Sequence, residues 1–261
     1  DNLGDNEKAL INYTKAIEAN PEDSFNYEVR GTFYYGNLND NEKALADFKK
    51  GLEIDPEDAS LYYGIGYIYI EEQAYDLALQ YLLKVVELEP NYENANNLIG
   101  YTYDTALNQY EKAIEYYTKE VEITPNAAHT YRNIGNIYAD NLGDNEKALI
   151  NYTKAIEVDP DNSNNYEVRG NFYRDYLEDN EKALADYSKG LEIDPEDASL
   201  YYEIGVTYIN LDPSESDLAL TNFLKVVELE PNYENIYNLI GWTYHYKLDQ
   251  YEKAIEYYTK E

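Results

Sequence analysis

At 261 residues the chain has room for one or two ordinary domains. Its 52 Asp+Glu against 20 Lys+Arg leave a net charge of −32, which excludes nucleic acid and anionic membrane as partners, since both need a basic footprint. The absence of cysteine excludes disulfides, thiolate metal sites and cysteine nucleophiles, and 33 Tyr beside 5 Phe and 1 Trp exclude a disordered acidic chain, which would be poor in aromatics.

The first predicted element is a single helix in residues 1–23. Its stretch "DNLGDNEKALINYTKAIE" returns unchanged at 140–157. Asp5 or Asn6 is the expected cap, and Ala9, Tyr13 and Ala16 mark the packed phase. From residue 24 onward helices are predicted in pairs, because apolar residues recur every three or four positions. The pairs fall in 24–58, 59–92, 93–127, 128–162, 163–197, 198–233 and 234–261. Proline follows the second helix of each complete unit, where it cannot extend the helix. The markers are Pro21, Pro56, Pro90, Pro125, Pro160, Pro195 and Pro231, spaced 35, 34, 35, 35, 35 and 36 residues apart. Extra turn residues in "GNLNDNEKA", "DNLGDNEKA" and "DYLEDNEKA" account for the 35-residue units. "NLDPSESDLAL" is longer still, with Asp212 as a cap ahead of Pro213.

One glycine recurs in every first helix: Gly31, Gly66, Gly100, Gly135, Gly170, Gly205 and Gly241. Mid-helix glycine costs about 1 kcal/mol relative to alanine, so close approach of a partner helix is expected there. The alanine of each second helix is expected to face the same contact. Arg30 and Arg169 stand just before this glycine, where an apolar residue would be ordinary. They are expected to snorkel or to pair with a neighbouring acid.

A longer period overlies the short one. "GLEIDPEDASLYY" occurs at 51 and 190, "LKVVELEPNYEN" at 83 and 224, and "YEKAIEYYTKE" at 110 and 251. The offset is 139 residues, becoming 141 after the longer turn, so a four-unit block of about 140 residues is duplicated. Neither end carries a polar capping unit. The reading is a window cut from a longer array or a unit meeting its own copy, with an arbitrary boundary or disordered tails as the plain alternative.

These units resemble the tetratricopeptide repeat, whose pattern is W-x2-L-G-x2-Y, then A-x3-F, then P. In 59–92 the matching residues are Tyr62, Ile65, Gly66, Tyr69, Ala78, Leu82, Val85 and Pro90. In 128–162 they are Tyr131, Ile134, Gly135, Tyr138, Ala148, Tyr152, Ala155 and Pro160. The resemblance implies an all-α, right-handed α-solenoid of antiparallel helix-turn-helix repeats, first helices lining a concave face and second helices outside. It also implies a non-catalytic scaffold whose concave face takes a protein or peptide. The corresponding positions here include Tyr63, Tyr67, Asn97, Tyr101, Arg132, Asn136, Asn171, Arg174, Tyr202, Asn238 and Trp242. The family's carboxylate clamp needs Lys, Asn and Arg from successive repeats, and only Arg132 with Asn136 is similar to it. Of the asparagine-ladder phase only Asn133 is present.

Catalysis has no support in the pattern. His129 and His245 lie more than three repeats apart, no nucleotide-binding glycine loop appears, and the periodic glycines read as packing residues. No cofactor is expected. The turns do present acidic oxygens of the kind calcium takes, with Asp55, Asp58, Asp194 and Asp197 as candidates, against the plainer role of helix caps. "NYT" at Asn12 and Asn151 falls inside helices and reads as a chance glycosylation match. The alternative to a scaffold is a structural subunit of an acidic head-to-tail filament, in which other copies of the chain are the partners and cations bridge them. That reading would suit the cell surface or exterior; the residues leave the compartment open. No apolar run reaches the length of a membrane span.

Overall fold

The computed structural model describes residues 2–211 and 213–260. Among them are helices and turns only, with no strand. The chain forms two compact units, Asp1–Pro125 and Asn126–Glu261. The first holds α1 (Asn2–Ala19), α2 (Ser24–Leu38), α3 (Asn41–Ile54), α4 (Ala59–Glu71), α5 (Tyr75–Leu88), α6 (Ala95–Tyr101) and α7 (Tyr110–Ile123). The second holds α8 (Ala128–Asn136), α9 (Asn145–Val158), α10 (Ser163–Leu177), α11 (Asn180–Ile193), α12 (Ala198–Leu211), α13 (Ser216–Leu229), α14 (Ile236–Tyr246) and α15 (Tyr251–Tyr258). In each unit consecutive helices pair as hairpins, α2 with α3, α4 with α5, α10 with α11, and the hairpins stack on their chain neighbours.

The hairpin contact is the one the glycine and alanine spacing predicts. Ala44, Ala78, Ala113, Ala148, Ala183 and Ala219 have no accessible surface at all. Opposite each lies the glycine of the first helix, with a large side chain of the second helix pressed on it. A Cβ added to Gly31 would sit 2.7 Å from the Phe48 ring, and one on Gly205 2.4 Å from the Phe223 ring. Leu82, Tyr117, Tyr152 and Tyr187 fill the same place in other hairpins. Absence of a side chain thus lets the helices close, which repays the low helix propensity of glycine.

Acidic and amide caps start many of the helices. Asp23, Asp40, Asp58, Asp144, Asn162 and Asp179 each accept a backbone N–H of the first turn. The cap expected at Asp5 or Asn6 is corrected: α1 runs back to Asn2, so both residues lie inside the helix, and Asp5 faces Lys8 at 3.7 Å. The equivalent Asp144 caps because a left-handed glycine, Gly143, turns the chain just before it. Asp212 lies outside the described residues, and a short 3₁₀ turn, Pro213–Glu215, leads into α13.

Repeat length is set at the end of the first helix. In the 34-residue unit the Ala74 N–H closes onto the Tyr69 carbonyl five residues back, at 2.8 Å. In the 35-residue units the closing bond spans one residue more: Asp40 to Tyr34, Gln109 to Tyr103, Asp144 to Tyr138 and Asp179 to Tyr173, at 2.8–2.9 Å. Two of these carry the extra residue as a π turn, Thr102–Ala106 and Ile137–Asn141.

Candidate functional site

The candidate surface is the exposed face of the first helices, and the structure brings its tyrosines together most densely in the first unit. Tyr63 and Tyr67 stand one helical turn apart on α4, ring centroids 6.5 Å from each other. Tyr35 of α2 meets Tyr67 edge-on at 5.8 Å, and Tyr92, in the turn after α5, lies 5.1 Å from Tyr63. Together with Glu28, Thr32, Ser60, Gly64 and the Phe48 ring they line a cleft of about 300 Å³ between α2 and α4.

Polar groups fix the rings at the rim. The Tyr35 hydroxyl donates to Glu71 Oε1 at 2.7 Å, and Asn94 Nδ2 donates to the Tyr63 oxygen at 3.1 Å. Burial raises the phenols of Tyr35, Tyr63 and Tyr92, that of Tyr92 to about 12, so all are neutral donors at physiological pH. Glu28 is half-buried at one end of the cleft. Burial raises its carboxyl above the ordinary range, Ser60 pulls it back by hydrogen bonding, and Asp58 adds to the rise.

Asn97 and Tyr101 lie on the next first helix, α6. Asn97 donates from Nδ2 to Asn94 Oδ1 at 3.0 Å, and its backbone N–H donates to the buried Glu120 of α7 at 3.2 Å. Glu120 also accepts the Asn94 N–H at 3.1 Å, so it caps α6 from the neighbouring helix. Tyr101 keeps 40% of its surface open.

In the second unit several of the predicted polar residues are engaged inside the fold. Arg132 donates from Nη1 to Asn165 Oδ1. Asn165 itself ties down the end of α9, donating to the Asp159 carbonyl at 2.7 Å. Asn136 accepts the Tyr152 hydroxyl at 2.8 Å, and Asn171 accepts that of Tyr187 at 2.7 Å. Arg174 of α10 donates from Nε to Asp175 at 2.7 Å and from Nη1 to Glu203 of α12. Tyr202 packs on Tyr233 at 5.3 Å, matching the Tyr63–Tyr92 pair. Asn238 and Trp242 share one face of α14, and Lys247 stands 5.6 Å over the half-exposed Trp242 ring.

Glu28, Tyr35, Gly64 and Tyr92 escaped the sequence reading. A signal for Tyr35 and Gly64 existed. At the offset of 139 residues Tyr35 aligns with Arg174 and Gly64 with Glu203, two changes of chemical class inside a near-identical block.

The acidic turns have employment in the fold. Asp58 and Asp197 Oδ1 accept the backbone N–H of Ser60 and Ser199 at 3.0 Å, and Asp55 and Asp194 accept those of Glu57 and Glu196 at 3.0 and 3.1 Å. Among the described residues no three His, Asp or Glu converge as a metal site would require. No described helix is long and apolar enough to cross a membrane.

Comparison with known proteins agrees with this architecture. A tetratricopeptide repeat model matches residues 1–23, 59–92, 93–127 and 128–162, a TPR repeat model matches 34–71 and 176–212, and a further tetratricopeptide repeat model matches 222–256. No curated protein matches the chain in sequence. Among solved structures it is similar to YrrB, described as a TPR protein with an unusual peptide-binding site, at 30% identity over 72% of this chain and 94% of that one, TM-score 0.57. MamA is similar at 26% identity over 60% of this chain and 91% of that one, TM-score 0.56. The C-terminal part of a TPR repeat-containing protein from Cytophaga hutchinsonii shares the fold, with 19% identity over 90% of this chain and 94% of that one, TM-score 0.69. Periodic prolines, glycine-on-aromatic hairpin contacts and these matches agree: the chain belongs to the tetratricopeptide repeat family.

Proposed function

We propose that this chain is a non-catalytic scaffold that holds a peptide segment of a partner protein on the first-helix face of its repeats. The observation that carries the reading is the tyrosine-lined cleft between α2 and α4. Large rings with hydroxyl rims offer apolar contact and hydrogen bonding together, the combination that extended peptides need. The peptide-binding site named for YrrB supports the same reading. Neither the surface nor the similar proteins favour the filament. Calcium is a question for titration, since the four candidate aspartates already serve turns and caps.

The test is an array of random-sequence dodecapeptides probed with the full chain. A reproducible subset bound, and competed by the same peptides free in solution, is the expected result. An array with no signal above background overturns the scaffold.

A further inference from the structure

The two copies of the repeat block differ at five of the nine residues that line the tyrosine cleft. In the second unit the place of Tyr35 is taken by Arg174 and the place of Gly64 by Glu203, and these two pair with each other. Glu167 stands for Glu28, Ser199 for Ser60, and the Tyr202–Tyr233 pair for Tyr63–Tyr92, while Asn171 replaces Thr32, Tyr187 replaces Phe48 and Val206 replaces Tyr67. The Arg174 and Glu203 side chains are 12% and 17% exposed, and Arg174 also grips Asp175, so the guanidinium is held by two acids whose places in the first unit are Gly64 and Gly36. The second unit thus carries its own cation at the place of Tyr35, with its own acids around it.

The first unit keeps the half-buried glutamate, the serine and the tyrosine pair without the cation. Among the described residues no Lys or Arg lines the cleft, while Glu28 lies in it and Glu71 at its rim. Gly64 lets the Phe48 ring pack directly against α4 as a wall of the cleft: an added Cβ would stand 2.9 Å from that ring. Aromatic faces with a carboxylate at the end are the surroundings a planar cation favours, by cation–π attraction and charge-assisted hydrogen bonds. A guanidinium is weakly hydrated and stacks, so it gains more here than an ammonium. The chain's net charge of −32 draws basic segments toward the site.

We propose that the cleft between α2 and α4 takes an arginine side chain of the partner peptide, in the place that Arg174 occupies in the second unit. This rests on the scaffold reading. Glu28 receives the guanidinium, the Tyr63 and Tyr67 rings flank it, and the Tyr35 rim shields it from water.

The experiment titrates the full chain with capped Gly-Gly-Arg-Gly-Gly and with its citrulline and lysine twins, followed by calorimetry or two-dimensional NMR. The arginine peptide binds at one site, and citrulline, which keeps the shape and loses the charge, binds at least about tenfold more weakly. Tyr35→Arg with Gly64→Glu installs the second unit's own pair and abolishes binding. Because Gly64→Glu presses on Phe48 and can unfold the hairpin, Tyr67→Val, the residue the second unit carries at that place, is the companion variant and weakens binding. The reverse exchange, Arg174→Tyr and Glu203→Gly with Val206→Tyr, raises the stoichiometry from one to two. Equal binding of the citrulline or lysine twin, or no loss in Tyr67→Val, overturns the arginine site. Dodecapeptides bound on the array without arginine enrichment overturn it while leaving the scaffold standing. An empty array overturns both.

Discussion

The Arg30 guanidinium grips the Asp47 carboxylate with two contacts of 2.7 Å, Nε to Oδ2 and Nη2 to Oδ1, and its third arm reaches Thr14 of α1 at 3.2 Å. One side chain thereby ties α2 to its hairpin partner and to the preceding helix. Arg169, Asp186 and Thr153 repeat the arrangement in the second unit. The acid holds the arginine above its ordinary range despite burial. Breaking a buried pair from one side strands a charge, which costs about 3–5 kcal/mol, whereas replacing both partners with apolar groups is often neutral. Arg30→Met is therefore expected to be strongly destabilising in urea unfolding, and Arg30→Met with Asp47→Leu to recover most of the loss. Equal losses in the single and double variants would contradict the pair.

Gly205 and Gly36 respond in opposite directions to the same substitution. Alanine gains about 1 kcal/mol of helix propensity over glycine. At Gly36 a Cβ meets nothing within 4 Å, so Gly36→Ala is expected to raise the unfolding midpoint. At Gly205 the Cβ would press into Phe223, and overpacking costs about 1–3 kcal/mol. Gly205→Ala is expected to lower the midpoint. A gain at both positions would refute close approach as the reason for the periodic glycines.

Much of this packing was legible in the primary structure. The proline period, the glycine–alanine phase and an acid for Arg30 are properties of spacing, and spacing survives in a string. The partners of Arg132, Asn136 and Asn171 are not: they lie 33, 16 and 16 residues away, and packing alone decides that Asn165, Tyr152 and Tyr187 engage them. The cleft escaped for a related reason. Its walls come from α2, α3, α4 and the turn after α5, and which side chains of those elements meet is decided by packing. The extra residue of the 35-residue units was visible as a length, but its place in a longer closing bond or π turn was not.

Glu167 titrates against the fold. Burial raises its carboxyl, Ser199 opposes the rise and Asp197 adds to it. A carboxyl raised by folding favours the folded state in its protonated form; that contribution is full below the unfolded glutamate range and is lost as pH climbs through the raised value. Glu167→Gln, neutral throughout, is expected to raise the melting temperature near neutral pH and to leave it unchanged in acid. A variant that loses stability near neutral pH would show the carboxylate to be a needed partner instead.

Self-repulsion at net −32 predicts a salt response. Raising sodium chloride from about 0.01 to 0.5 M shortens the Debye length from about 30 Å to under 10 Å and is expected to raise the melting temperature steadily. Since Asp55, Asp58, Asp194 and Asp197 are engaged by backbone N–H groups, calcium is expected to add no more than magnesium at equal concentration. A saturable, calcium-specific rise would reinstate a metal site at the turns.

Everything proposed for this chain turns on a partner's segment being held on the first-helix face, at the α2–α4 cleft. Site-specific photo-crosslinking reads this directly. A benzophenone side chain is placed at Tyr67, 36% exposed on α4, and in a second variant at Leu77, 43% exposed on α5, and each is irradiated with a dodecapeptide selected from the array. A segment in the cleft predicts capture from position 67 and none from position 77. Capture from position 77 alone would place the partner on the second-helix face and contradict the scaffold as proposed.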